Sequence, residues 1–324
     1  MERNPMKLVT IFGGSGFVGR YVVRELAKKG WRIRIAVRRP DLVGHLQPMG
    51  GVGQIAPVLC NVRSKEAVAR AVANADAVIN LVGILAESGK QTFDAIQAEG
   101  AKTVADAAKA AGVKTFVQMS AIGADPAGTS VYAKTKAAGE AAALAAFPDA
   151  VIVRPSIVFG PEDDFFNRFA GMAKLSPVLP LIGGGQTRFQ PVYVGDVARF
   201  IAAAAEGAVP GGRAYELGGP DVATFRELLE TTCAITRHTR KFVTLSWGMA
   251  STQASLLQYL PKPPLTPDQV ELLKTDNVVS DAASAEGRTL AAIGLHPRSM
   301  GAILPTYLWT YRKNGQFAEP GSAA

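Results

Sequence analysis

Tyr132 and Lys136 lie four residues apart in Tyr132-Ala133-Lys134-Thr135-Lys136, a spacing that puts both side chains on one face of a helix. An ammonium beside a phenol favours the phenolate and lowers its pKa. Such a tyrosine can trade a proton with a carbonyl or alcohol while hydride moves to or from a nicotinamide. The same lysine can hold the nicotinamide ribose. Ser120, at the exit of the apolar run Lys114 to Met119, adds a hydroxyl. A Tyr–Lys pair at this spacing is frequent by chance, and an exposed helix start with an incidental tyrosine would carry it too. Its meaning rests on the elements that position it.

The organising element is Gly13-Gly14-Ser15-Gly16-Phe17-Val18-Gly19. It follows Leu8 to Phe12, a β-branched run that predicts a buried strand. After it, Phe17, Val18, Val22, Val23 and Leu26 recur at helical spacing, with Arg20, Arg24 and Lys28 opposite. Gly13 permits the sharp turn, Gly16 lets a pyrophosphate approach the backbone, and Gly19 lets the helix lie close to the strand. The first helical turn, with Ser15 before it and Phe17 and Val18 in it, offers free N–H groups to the phosphates.

Further strands are expected at Trp31 to Val37, Ile55 to Leu59, Asp76 to Leu81, Lys114 to Met119, Val151 to Arg154 and Ala214 to Leu217. Helices are expected at Ser64 to Val72 and Thr92 to Ala111. This alternation predicts an α/β fold, a doubly wound parallel sheet covered on both faces. Ligands bind at the carboxyl ends of such strands. At the second strand's end stand Arg38 and Arg39, with no acid between Ile33 and Pro40. An acid there would take the ribose hydroxyls of NAD, whereas guanidinium groups suit a 2′-phosphate. NADP(H) is therefore expected ahead of NAD(H).

At 324 residues and 48% apolar content the chain can bury a large core. The expected division is a nucleotide-binding domain over residues 1–160, completed by about 191–218. A smaller lobe takes 161–190 and 219–324. Cys60 and Cys233 are far apart, and His45, His238 and His296 do not cluster with them, so no metal site is expected. Sparse cysteine and the absence of a signal-peptide pattern point to the cytoplasm. The net charge of +8 favours anionic partners. No basic run interleaves with aromatics, so nucleic acid is not among them. In the smaller lobe Phe225, Leu228 and Leu229 mark a helix, Phe242 to Trp247 a strand, and Met249 to Leu260 a stretch apolar on most sides. Pro261 to Pro264 is a break, and disorder is expected after Gln316. Ile303 to Tyr311 carries apolar residues at helical spacing beside Arg312 and Lys313. Such a helix meets either a lipid headgroup boundary or its own lobe.

The G-x-x-G-x-x-G spacing and the Tyr-x-x-x-Lys pair resemble the extended and atypical branches of the short-chain dehydrogenase/reductase superfamily. That resemblance implies a Rossmann fold in which Asn61 and Val62 lie beside the adenine. Leu81, Val82 and Gly83 would line the nicotinamide side, and Pro155, Ile157 and Val158, from Arg154-Pro155-Ser156-Ile157-Val158-Phe159-Gly160, would border the carboxamide. It also gives the carbonyl-polarising hydroxyl a slot that is Ala121 here, with Ser120 one residue off. Ser120-Ala121-Ile122-Gly123-Ala124-Asp125-Pro126 and Phe159-Gly160-Pro161-Glu162-Asp163 narrow the likeness. So do Leu265-Thr266-Pro267-Asp268-Gln269-Val270 and Asp276-Asn277-Val278-Val279. Together they resemble the atypical subfamily of the nucleotide-binding accessory subunit of respiratory complex I, NADH:ubiquinone oxidoreductase, and its bacterial relatives. This implies NADPH binding, complex I subunits as partners and a peripheral membrane position. The alternative is a free oxidoreductase acting on an apolar carbonyl or alcohol such as a quinone or isoprenoid.

Overall fold

The structure is a computed structural model that describes residues 6–260 and 263–315. Pro261, where the expected break begins, and the tail from Gln316 lie outside the described residues.

In chain order the elements run β1 (Leu8–Phe12), α1 (Phe17–Lys28), β2 (Arg32–Val37), β3 (Ile55–Leu59), α2 (Lys65–Val72), β4 (Ala77–Asn80), α3 (Glu99–Ala110), β5 (Thr115–Met119), α4 (Val131–Ala146) and β6 (Val151–Pro155). Next come β7 (Val158–Phe159), α5 (Phe165–Leu175), β8 (Val178–Ile182), β9 (Arg188–Phe189), β10 (Val192–Tyr193), α6 (Val194–Ala205) and β11 (Arg213–Leu217). The last are β12 (Ala223–Thr224), α7 (Phe225–Thr236), β13 (Lys241–Leu245), α8 (Trp247–Leu257), α9 (Pro267–Leu272) and short helical turns to Tyr311.

Two compact units result. The first reaches up to Pro155 and takes in Val194–Leu217 and Ser280–His296. Its sheet has the order β11-β6-β5-β4-β1-β2-β3, with every pair parallel. Parallel sheets are buried on both faces, so their strands read as continuous apolar runs. Val9, Ile11, Phe12, Ile35, Val78 and Ile79 accordingly have no exposed surface. From β1 the chain builds outward to β3, then crosses to β4 on the other side of β1. The topological switch point therefore lies between the ends of β1 and β4, where such folds open a crevice. Helix α1 buries Tyr21, Val22, Val23 and Leu26, packs against α6, and ends at Gly30 with φ +79°. Asp196, in the first turn of α6, is fully buried and pairs with Arg199 at 3.5 Å, a structural role.

The second unit holds Ser156–Tyr193, Gly218–Val279 and the chain from Pro297. Phe159, Phe166, Phe189, Phe225, Leu228, Leu304 and Leu308 form its core. Leu304, Tyr307 and Leu308 are buried there, so the apolar face of the segment Ile303 to Tyr311 is covered by its own unit. Tyr307 Oη donates to Asp163 at 2.5 Å. The strand expected over Phe242 to Trp247 ends at Leu245, because Ser246 caps α8 by accepting from the Met249 N–H at 3.3 Å. Trp247 opens that helix instead of closing the strand.

Candidate functional site

Glycines shape the cradle at the switch point. Gly13 has φ +76°, and a Cβ there would lie 3.1 Å from the Leu81 carbonyl carbon, so the ends of β1 and β4 meet only over a glycine. A Cβ on Gly19 would sit 2.3 Å from the Gly13 oxygen and 2.6 Å from Gly14 Cα. Gly16 caps α1 without any side-chain acceptor, and the first turn carries no acid. The N–H groups of that turn have no intrahelical partner. Backbone donors at the positive end of a helix, with no capping side chain, fit the pyrophosphate of a dinucleotide. Ser15, Phe17 and Val18 are half-buried around them, and Phe17 meets Tyr21 edge-on at 6.1 Å.

The β4 exit is held by a polar ladder that the sequence did not announce. Leu81 N–H donates to the Phe12 carbonyl at 2.9 Å, and Val82 N–H to Asn80 Oδ1 at 3.2 Å. Asn80 Nδ2 donates to Gln118 Oε1 at 2.9 Å, and Gln118 Nε2 to the Met119 carbonyl at 3.0 Å. Two buried amides thus lock the exits of β4 and β5 together.

At the outer edge the basic residues are already anchored. Arg38 donates to Gln91 Oε1 at 2.6 Å. Arg39 makes a two-pronged contact with Asp41 at 3.1 and 2.8 Å, which raises the arginine's pKa and lowers the acid's. Asn61 Oδ1 accepts from the Arg63 N–H at 3.1 Å, and Arg63 reaches the Lys90 carbonyl at 3.1 Å. Val62 sits against Gly100 of α3, where a Cβ would be 3.3 Å from its methyl. The loop after β4, through Lys90 and Gln91, therefore grips the side chains beyond β2 and β3. Separations of 53 and 27 residues hide both contacts from a sequence pattern.

Helix α4 carries Tyr132 and Lys136 on one face, with the Lys136 Nζ 5.6 Å from the Tyr132 ring centre. Phe93 meets that ring edge-on at 5.9 Å. It stands at the head of a π-helical turn, Asp94–Ala98, that leads into α3. A Cβ on Gly139 of α4 would fall 2.3 Å from the Gln97 carbonyl oxygen, so the turn and α4 touch at that glycine. The Lys136 Nζ reaches the β4 exit, 3.1 Å from where a Cβ of Gly83 would stand. Burial pushes its pKa down to about 8, opposed by Glu140 one turn along. Glu140 does not neutralise it by contact, because Arg154 grips both carboxylate oxygens at 2.8 and 2.6 Å. Arg154 also stands 3.8 Å from Glu216, whose Oε2 accepts from the Ser280 N–H at 2.8 Å. Ion pairs from β6 and β11 so fix the helix that carries the Tyr–Lys pair.

Ser120 is buried, and its Oγ finds no hydrogen-bond partner among the described residues. Its N–H donates to the Val153 carbonyl at 2.7 Å. Ala121, next along, is half-exposed and has no hydroxyl. Pro155 ends β6, and its carbonyl accepts from the Ile122 N–H at 3.0 Å. Ile157 and Val158 belong to the second unit, where the Ile157 carbonyl accepts from the Val192 N–H at 2.9 Å and Val158 pairs with Val192. In the first unit, then, the structure gathers the glycine cradle, the β4 exit and Lys136. A nicotinamide dinucleotide supplies hydride chemistry when bound. Lys136 is a buried cation there, and Tyr132 a phenol beside it.

A model of the NAD dependent epimerase/dehydratase family matches residues 9–218. The chain is 36% identical over 320 residues to NADH dehydrogenase [ubiquinone] 1 alpha subcomplex subunit 9, mitochondrial, of Arabidopsis thaliana. That match covers 95% of this chain and 79% of the relative. A ceramide reductase of Caulobacter vibrioides is 30% identical over 203 residues, 63% of this chain and 62% of that protein. Among solved structures, a dTDP-glucose 4,6-dehydratase from Streptomyces venezuelae with NAD and TYD bound superposes with a TM-score of 0.71. It covers 97% of this chain and 99% of its own at 21% identity, a likeness of fold alone.

Proposed function

Because the chain belongs to the NAD dependent epimerase/dehydratase family, we propose that it binds NADP(H) ahead of NAD(H) and serves as an accessory subunit of a respiratory NADH:ubiquinone oxidoreductase. The observation that carries this reading is the likeness to the mitochondrial subunit across 95% of the chain. Ala121 in the hydroxyl slot and the inward burial of Ser120 weaken the case for turnover. For the cofactor, Arg38 and Arg39 close β2 with no acid in the position that would take ribose hydroxyls. In this reading Gly13, Ser15, Gly16, Phe17, Val18 and Gly19 hold the pyrophosphate, and Asn61 and Val62 border the adenine. Leu81, Val82, Gly83 and Pro155 line the nicotinamide end, and Lys136 holds its ribose. The protein works peripherally, on the cytoplasmic face of the inner membrane beside complex I subunits.

A second reading is a free oxidoreductase acting on an apolar carbonyl or alcohol such as a quinone or isoprenoid. It is favoured by the retained Tyr132 and Lys136 and by the likeness to a ceramide reductase. Calorimetric titration tests the cofactor claim. NADPH is expected to bind more tightly than NADH. Arg38→Ala with Arg39→Ala is expected to weaken NADPH alone, by about 1–3 kcal/mol for charge-assisted hydrogen bonds. Equal affinities in the unmodified protein would sink it.

A further inference from the structure

Helix α8 in the second unit is built inside out. Its inward face is small: Ala250 and Ala254 are fully buried and pack with Trp247 against Ile182, Val270 and Leu273. Beyond Trp247, large apolar side chains stand exposed elsewhere on it. Met249 and Leu256 fall on its outer face, and Tyr259 and Leu260 follow in the turn just past its end, with Leu256 72% and Tyr259 84% exposed. A soluble helix ordinarily turns its apolar stripe inward, and a run of exposed large apolar side chains marks a contact surface.

The charge pattern of the sequence on either side of this helix says what the contact is. From Phe242 to Leu260 the sequence contains no charged residue at all. From Thr231 to Pro267 it contains no carboxylate, while Arg237, Arg240 and Lys241 are all basic. The acids that follow begin on α9 with Asp268 and Glu271, and Glu271 is paired with Lys274 at 2.6 Å. An uncharged apolar face within an acid-free, basic stretch matches an anionic bilayer: hydrocarbon beneath, negative headgroups around. We propose that the outer face of α8 docks this protein on an anionic lipid surface. The contact lies within the second unit and stands whether or not the chain binds a nucleotide or turns over.

The test is flotation of the full chain with phosphatidylcholine vesicles, with and without phosphatidylglycerol, at low and high salt. Binding is expected to need the anionic lipid and to weaken with salt, since surface attraction is screened. Leu256→Asp combined with Leu260→Asp is expected to cut binding by about tenfold or more, given what burying each leucine contributes. Both sites are exposed, and circular dichroism checks that the fold survives. An environment-sensitive fluorophore on Tyr259→Cys is expected to shift to the blue on anionic vesicles. No binding at low salt would overturn the proposal, as would binding unchanged in the double variant. Self-association that the double variant abolishes, with no vesicle binding, would assign the face to a second copy of this chain and overturn it as well.

Discussion

Lys136 is the residue on which the candidate site turns. Its ammonium is buried beside the Tyr132 ring and the β4 exit, and burial lowers its pKa from 10.5 to about 8. Between those values the unfolded chain holds the proton and the folded one sheds it, so stability rises with pH across that window. Below pH 8 both forms carry the proton, and the folded protein carries a penalty on the order of 3 kcal/mol, since each pH unit between the two values is worth about 1.36 kcal/mol. Lys136→Met is therefore expected to raise the thermal midpoint of the nucleotide-free protein at pH 7. It should also flatten the rise between pH 8 and 10.5 and abolish NADPH binding. An unchanged midpoint and pH profile would show that the ammonium is not buried as described. Tyr132→Phe keeps the ring that packs on Phe93, so NADPH affinity is expected to stay nearly intact. If instead it removes an NADPH-oxidising activity, by roughly 10²–10⁴-fold, the protein is an enzyme. The Tyr–Lys pair was legible because four residues along a helix fix a shared face. The inward turn of Ser120 and the Gln91 clasp on Arg38 were not, since each depends on chain distant in sequence.

Among the elements, the turn from β1 into α1 leaves least room for change. A methyl on Gly19 would overlap backbone atoms of Gly13 and Gly14, which cannot move away as a side chain would. Gly19→Ala is expected to destabilise the fold by about 1–3 kcal/mol, as overpacking does, and to weaken NADPH because the cradle itself is displaced. Chemical denaturation reads the first effect and calorimetry the second. Helix α4 depends on β6 through Arg154. Arg154→Met would leave the buried Glu140 carboxylate without its partner, a change that costs about 3–5 kcal/mol. A loss under about 1 kcal/mol, the scale of an exposed pair, would show that this ion pair does not fix α4. The strands of the sheet were readable because parallel strands buried on both faces are continuous apolar runs. The π-helical turn at Asp94–Ala98 was not, because its residues read as ordinary helix and the Gly139 contact that accompanies it lies across the fold. Ser280–His296 returns to the first unit through contacts such as Ser280 to Glu216, 64 residues apart.

For the whole molecule, an apolar period says that a helix has an apolar face and not what covers it. Ile303 to Tyr311 has such a face and buries it in its own unit, whereas α8 leaves Met249 and Leu256 outside. Among the described residues no helix is long and apolar enough to cross a membrane. The net charge of +8 and the outer face of α8 suit a protein held at a membrane by surface contacts and partners. The most direct measurement of the proposed role is capture of the chromosomally tagged protein from gently solubilised membranes, followed by mass spectrometry of what comes with it. Core subunits of the respiratory NADH dehydrogenase are expected in stoichiometric yield, retained in Tyr132→Phe. A tagged protein recovered without any respiratory subunit, and oxidising NADPH with an apolar carbonyl by way of Tyr132, would contradict it.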